Sequence, residues 1–331
     1  MFVLQSLAAD PATARPAHVP VAEQTRGGLV ESVHYGSVIA LAPDGGTLFS
    51  AGDPLALFYP RSSLKPLQAV AMVRAGLRLP PELLALSAAS HSGSPMHQQG
   101  AERILGLHGL DEESLANTAD LPYGRAEGED WLRRGGTAGR LAQNCSGKHA
   151  AMLATCVING WPASGYLEPS HPLQQVIAGV VGELTGEDLD TISTDGCGTP
   201  LFAVTLRGMA RAFGLIASAA PGTAEATVAA AMRTHPEQVA GEGRDVTALM
   251  RQVPGLLAKD GFEGLQLAGL PDGRSLAIKI ADGSDRARLP VTLYALALMG
   301  LDSNSLAGLE PQPVLGGGRP VGALHAVDFT R

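Results

Sequence analysis

The chain has 331 residues, 45% hydrophobic and 17% charged, with a formal net charge of −8; this is the profile of a globular protein with a large core and chain enough for about two domains. Acidic and basic residues are interspersed, so there is no basic patch for a nucleic-acid backbone, which argues against a DNA or RNA partner. Three cysteines make no disulfide framework, the N-terminus lacks a signal-peptide pattern and no window approaches the roughly 18 apolar residues of a membrane span, so the expectation is a cytoplasmic protein without a membrane partner.

Residues 1–25 are rich in Ala, Pro and Thr without period and read as a flexible leader. Over 27–40, Val30, Val33, Val38 and Ile39 mark a strand, and Pro43-Asp44-Gly45-Gly46 turns it into a second strand over 47–50. An apolar helix is predicted over 67–77 and a short one after Pro80-Pro81, running out at Ser87 to Ser94. Further helices are predicted at 96–108, 127–135, 146–159 and 171–185, separated by Gly, Pro and Asn breakers. After a short strand over 189–193 come helices at 201–215 and 223–234, a hairpin joining 261–267 to 275–280, a helix at 287–299 and a last strand over 319–327. Strands at both ends around a helical middle predict an α/β fold of the α+β type: an antiparallel sheet flanked by helices, with a helical subdomain. The expected division is a leader at 1–25, a sheet-containing domain from 26–62 and 190–331, and a mainly helical subdomain at 63–189.

The stretch Arg61-Ser62-Ser63-Leu64-Lys65-Pro66 holds a serine three residues before a lysine. In a helical turn these two share a face, and Pro66 is tolerated only near a helix start, which puts Ser62 at a helix mouth where unpaired N–H groups can hold an oxyanion. A serine nucleophile of this kind needs a second hydroxyl as proton relay and a second cation. Ser90, in the polar loop Ser90-His91-Ser92-Gly93, is the relay candidate. Lys279 is the cation candidate, set opposite Leu276, Ile278 and Ile280 by strand alternation. Together they resemble the S-x-x-K, S-x-N and K-T-G elements of serine β-lactamases and penicillin-binding proteins, without matching the penicillin signature.

A second cluster joins Asn144-Cys145-Ser146-Gly147-Lys148-His149 to Thr194-Asp195-Gly196-Cys197. Cys145 and Cys197 each lie in a Gly-containing polar turn rather than on an apolar stripe, and a helix N-terminus favours a Cys145 thiolate. A zinc site is compatible with this spacing, with Lys148 and His149 both open as third ligand. Cys156, among Met152, Leu153 and Val157, reads as core. For a charged amino-acid substrate, Arg61, Glu31, Asp195, Glu242 and Arg244 are the charged groups beside Gly turns or the nucleophile, and His91 beside Ser90 joins them as a substrate-binding candidate.

Arg26-Gly27-Gly28 with Val30-Glu31, then RSSLKPLQA, ASHSG, NCSGKH, TDGCGTP, HPEQVAGEGR and IKIADG occur in that order. This series resembles the asparaginase II amidohydrolases, the class 3 Rhizobium etli-type L-asparaginases, over about residues 26–325. The resemblance implies a serine β-lactamase/glutaminase-like fold, a homodimer, L-asparagine as substrate, and two Ser-Lys tandems that match Ser62 with Lys65 and Ser90 with Lys279. It also implies a zinc ion beside the serines, held by Cys145, Lys148 and Cys197. A glutaminase or a penicillin-recognising serine hydrolase is the alternative on the same machinery.

Overall fold

The computed structural model describes residues 15–309 and 313–330. In chain order the elements are β1 (Val19–Arg26), β2 (Leu29–Leu41), β3 (Thr47–Ala51) and β4 (Leu57–Phe58); a 3₁₀ turn (Arg61–Leu64); then α1 (Lys65–Arg74), α2 (Pro81–Ser87), α3 (Pro95–Leu107), α4 (Arg125–Arg133), α5 (Ser146–Asn159) and α6 (Pro172–Thr185). There follow β5 (Ile192–Thr194), β6 (Pro200–Phe202), β7 (Val204–Thr205), α7 (Leu206–Ala217), α8 (Ala224–Thr234), α9 (Pro236–Val239) and α10 (Asp245–Gln252). The chain then runs through β8 (Leu257–Gly261), β9 (Leu265–Gly269), β10 (Ser275–Ile280), α11 (Arg288–Leu298), α12 (Ser303–Leu306), β11 (Val314–Gly316), β12 (Arg319–Gly322) and β13 (Leu324–Ala326). No helix among the described residues is long and apolar enough to cross a membrane.

The main sheet is antiparallel, in the order β13-β1-β2-β10-β9-β8, with β3 paired to β2. β10 is the middle of it: Ala277 pairs with Ile39 on one side and with Leu267 on the other. Helices α7 and α11 both pack on the sheet, and every residue of β10 except Lys279 is buried, so both faces are covered. Residues 19–25, expected in the leader, form most of β1. Val21 and Ala22 there are fully buried, a core contribution that the surrounding Pro, Thr and charged residues concealed; residues 15–18 precede the strand without regular secondary structure, and 1–14 lie outside the described residues.

The other half of the core is helical, and α1 is its axis. All residues from Lys65 to Val73 are buried, so α1 has no solvent face. A helix apolar all round is stable only when surrounded, and α2, α5, α6 and α8 pack about it. Its N-terminus, with Pro66 in the first turn, therefore opens at the junction between helices and sheet, where β8 meets the 3₁₀ turn.

Helix α5 approaches α2 so closely that Gly147 has no room for a side chain: a Cβ there would lie 2.5 Å from Leu86 Cγ and 2.7 Å from the Leu86 carbonyl oxygen. Because the second contact is backbone, repacking cannot relieve it. Gly147→Ala is expected to cost about 1–3 kcal/mol by overpacking, read as a lower urea midpoint at unchanged m-value; an unshifted midpoint would refute the close-approach argument.

Candidate active site

The serine turn is conformationally unusual. Arg61 has φ 49°, in the left-handed region, and is one of two non-glycine residues with positive φ among those described, Glu263 (φ 69°) being the other. Such backbone costs on the order of 1–3 kcal/mol and persists where surroundings fix it. Here Arg61 Nε donates to Asp195 Oδ1 at 2.7 Å, and its guanidinium lies 5.0 Å from the centroid of the Phe262 ring. Ser62 follows, half-buried, with no side-chain hydrogen bond among the described residues. Ser63 turns inward, fully buried, and donates to the Pro60 carbonyl at 2.6 Å.

Lys65 is 1% exposed, and its ammonium donates to the Ala89 carbonyl at 2.6 Å and to Ser90 Oγ at 3.0 Å. Ser90 is held in place by its loop, which runs extended between two segments: the N–H groups of Ser90 and Ser92 donate to the carbonyls of Val239 and Ala240, and that of His91 to Asn144. A second buried lysine completes the arrangement. Lys259 Nζ also donates to Ser90 Oγ, at 3.0 Å, and to the carbonyl of Asp260 at 2.8 Å. One hydroxyl is thus bracketed by two amines, and Lys259 carries no exposed surface at all. Burial pushes the Lys259 pKa down to about 8, with Asp260 acting to raise it and Lys65 and Arg244 to lower it further.

The structure brings Lys259 to Ser90 in the place expected for Lys279. Lys279 lies on β10, two strands in from β8, and its ammonium donates to the carbonyls of Glu263 and Ile280 at 2.6 and 2.7 Å. It lines a polar cavity of about 360 Å³ with Tyr59, Arg61, Ser193, Thr194 and Glu263. The missed signal is Lys259-Asp260-Gly261 at the end of β8. It has the Lys-x-Gly form of the K-T-G element, which Lys279-Ile280-Ala281 lacks. Gly261 permits the approach of β8 to the serine turn, since a Cβ there would lie 2.9 Å from the Pro60 carbonyl oxygen.

Cys145, Lys148 and Cys197 meet as the spacing allowed. Cys145 stands at the N-cap of α5, and Lys148, one turn in, is 1% exposed. Lys148 Nζ donates to Cys197 Sγ at 3.1 Å and to Thr199 Oγ1 at 3.0 Å; Thr199, buried, was not among the sequence candidates. The interaction of the two sulfurs draws the Cys197 pKa well below the usual thiol range, with Lys148 and His149 acting in the same sense against burial. The same interaction, together with burial, pushes Cys145 well above it. Burial works against the Lys148 ammonium, yet Cys197, Cys145 and Asp195 hold its pKa above the ordinary lysine value. His149 donates to or accepts from the Tyr166 hydroxyl at 2.8 Å through Nδ1, and its Nε2 is buried without a partner.

Two sulfurs and a nitrogen, with one orphaned imidazole nitrogen beside them, are a donor set that suits zinc. Among the described residues no group of three or more His, Cys, Asp or Glu is placed to hold a metal ion, so the set is complete only if Lys148 serves as a neutral amine.

Of the substrate-binding candidates, the structure brings Arg61 and Asp195 to the serine turn and Arg244 to Lys259 through Asp260, which accepts from Arg244 Nη2 at 2.8 Å. His91 is fully buried, stacked on His97 with ring centroids 4.8 Å apart and bonded through Nε2 to Ser146 Oγ at 2.9 Å, so it supports the Ser90 loop instead of facing a ligand. Glu31 pairs with Arg26 and Gln24 on the exposed end of the β1–β2 hairpin. Glu242 pairs with Arg251 on the surface. Neither joins the cluster: a charge beside a glycine turn is recorded locally in sequence, but its partner is set by the fold.

A family model described as L-asparaginase II matches residues 22–326, nearly the whole chain. The chain belongs to the L-asparaginase II family. As an L-asparaginase II protein it is an amidohydrolase acting on a small-molecule amide. No curated protein matches it. Among solved structures it is similar to a beta-lactamase from Mycobacterium bovis (15% identity, 80% of this chain and 95% of that one, TM-score 0.39). It is also similar to Mglu (17% identity, 81% and 69%, TM-score 0.37), and to EstCE1, described as a hydrolase with promiscuous acyltransferase activity (16%, 79% and 88%, TM-score 0.36).

Proposed function

We propose that this L-asparaginase II protein hydrolyses the side-chain amide of L-asparagine to L-aspartate and ammonia through an acyl-enzyme on Ser62. The observation that carries the reading is Ser90 Oγ held at 3.0 Å from both Lys65 Nζ and Lys259 Nζ, at the foot of the turn that presents Ser62. Ser62 Oγ forms a bond to the amide carbon while its proton passes to Lys65. The Ser62 N–H, at the mouth of the 3₁₀ turn, has no backbone acceptor among the described residues, which leaves it to serve as a donor to the oxyanion. The carbon–nitrogen bond breaks as Ser90 passes the proton from Lys65 to the leaving nitrogen, and ammonia departs. Water then attacks the ester, its proton returns along the same path, and aspartate and free Ser62 are released. Lys259 takes the place foreseen for Lys279 as the second cation.

Zinc would fit the Cys145, Lys148 and Cys197 donor set if its binding displaced the protons of Lys148 and Cys145, and it would there supply a fixed positive charge that orients polar groups of the substrate. Arg61 and Asp195 join the thiolate loop to the serine turn. The protein made in zinc-containing medium is expected to hold about one zinc per chain by elemental analysis, and Cys197→Ser to lose it, since structural thiolate ligands dominate affinity. Metal content unaffected by Cys197→Ser would refute the site.

The reading as a whole is tested by ammonia release from asparagine and from glutamine, with hydrolysis of a chromogenic β-lactam alongside, each with and without a chelator. Asparagine turnover in excess of glutamine turnover is the expected result; turnover of the β-lactam with neither amide would overturn it. A pocket that differs by one methylene discriminates by only about 1–3 kcal/mol, so some glutamine turnover accompanies it.

A further inference from the structure

The mechanism uses Lys259 but not the residue that follows it. Asp260 is a carboxylate in the interior, 7% exposed, and its two oxygens are divided: Oδ1 takes a hydrogen bond from Lys259 Nζ and Oδ2 one from Arg244 Nη2 at 2.8 Å. Arg244 is in turn fixed from the other side, its guanidinium 5.0 Å from the centroid of the Tyr123 ring. We propose that Asp260 and Arg244 form a positioning pair for Lys259, in which Asp260 keeps the Lys259 ammonium charged and aimed at Ser90 while Arg244 limits how strongly it does so. The inference rests on the amidase reading only for its catalytic consequence, since the pair itself is a matter of geometry.

Two buried amines pointing at one hydroxyl repel each other when both are charged, and a relay works only if the proton has a defined owner. Lys65 bonds to a carbonyl and a hydroxyl, whereas Lys259 alone touches a carboxylate. Asp260 therefore breaks the symmetry: it holds Lys259 by an ion pair that Lys65, bonded only to a carbonyl and a hydroxyl, lacks. Burial opposes the Asp260 charge, but Lys259, Arg244 and Arg288 together hold its pKa far below the carboxylate range. Arg288, from α11, is itself shared with Asp245 at 2.8 Å and Gln266 at 2.7 Å, so Asp260 remains the carboxylate that Lys259 contacts. The charged and titratable groups facing Lys259 are thus Asp260 on its own strand, Lys65 from α1 and Arg244 from the turn before α10, with Arg288 and Tyr123 reaching it through Asp260 and Arg244.

The two members of the pair act on Lys259 with opposite sign, which a merely structural role would not produce. Removing the Asp260 charge is therefore expected to lower the Lys259 pKa, and removing the Arg244 charge to raise it. The experiment follows the Lys259 signal by NMR of protein labelled at lysine Cε, across pH, in the wild type, Asp260→Asn and Arg244→Gln, with Lys259→Met to assign the signal. A shift of about one pH unit or more downward in Asp260→Asn and upward in Arg244→Gln is expected, and the alkaline limb of ammonia release should move with each. Shifts in the same direction, or no shift, overturn the proposal. If Asp260→Asn does not fold, Arg244→Gln decides alone: an upward shift supports the pair, while a downward or absent one overturns it. A wild type silent towards both amides overturns the amidase reading and leaves the titration result to judge the pair.

Discussion

Ser62→Ala is expected to abolish ammonia release, lowering kcat by about 10⁴-fold or more, the scale on which nucleophile removal acts when relay and base remain. The change removes one exposed-side hydroxyl that makes no side-chain hydrogen bond among the described residues, so the melting temperature should stay within a degree or two of the wild type. Ser63→Ala is the control of opposite character. Its hydroxyl is buried and bonded to the Pro60 carbonyl, and its loss should cost about 1 kcal/mol of stability while turnover falls far less. Retained turnover in Ser62→Ala, at unchanged fold, would remove the nucleophile from Ser62 and with it the acyl-enzyme on that residue.

Lys259→Met is expected to lower kcat by about 10²–10⁴-fold, the usual worth of a positioned proton-transfer group. Lys279→Met should stay within about tenfold of the wild type, because its ammonium is bonded to two carbonyls at the β9–β10 side of the sheet and reaches neither serine. The pair is best measured as kcat and KM on one substrate, at a pH below 8 so that Lys259 is protonated in the wild type. A large loss at Lys279 with none at Lys259 would reverse the assignment. Thermal unfolding guards against misreading: Lys259→Met leaves the buried Asp260 carboxylate without one of its cations, so a loss of stability is expected, and the kinetic comparison must be made well below the melting transition.

Why one lysine was legible and the other not follows from how each strand meets water. β10 carries an alternation, Leu276, Ile278 and Ile280 on one face and Lys279 on the other, and Lys279 is the only residue of β10 that is not buried. That alternation made it conspicuous. β8 is buried at every position, Lys259 and Asp260 included, so Leu257-Ala258-Lys259-Asp260-Gly261 shows no period and its polar end reads as a turn. A strand whose charged residues are satisfied inside the protein gives no amphipathic signal, since the partners that make burial possible, Ser90 and Arg244, lie on other segments, Ser90 169 residues away. The helices were easier. α5 and α6 fall close to the ranges 146–159 and 171–185, because Gly160 and Gly186 end them in left-handed C-caps. The cysteine cluster was legible for a chemical reason: a thiol in a polar glycine turn contributes little to a core, so Cys145 and Cys197 stood apart from Cys156.

The left-handed Arg61 has a consequence for how the two clusters behave together. Its side chain is tied to Asp195, and Asp195 also receives the Gly196 N–H at 2.9 Å, one residue before Cys197. The backbone that carries the serine is thus anchored, through Arg61, on the loop that carries Cys197. A change that removes the Asp195 carboxylate takes away the side-chain partner of Arg61 and the acceptor of the Gly196 N–H together, so the serine turn and the Cys197 loop share one anchor.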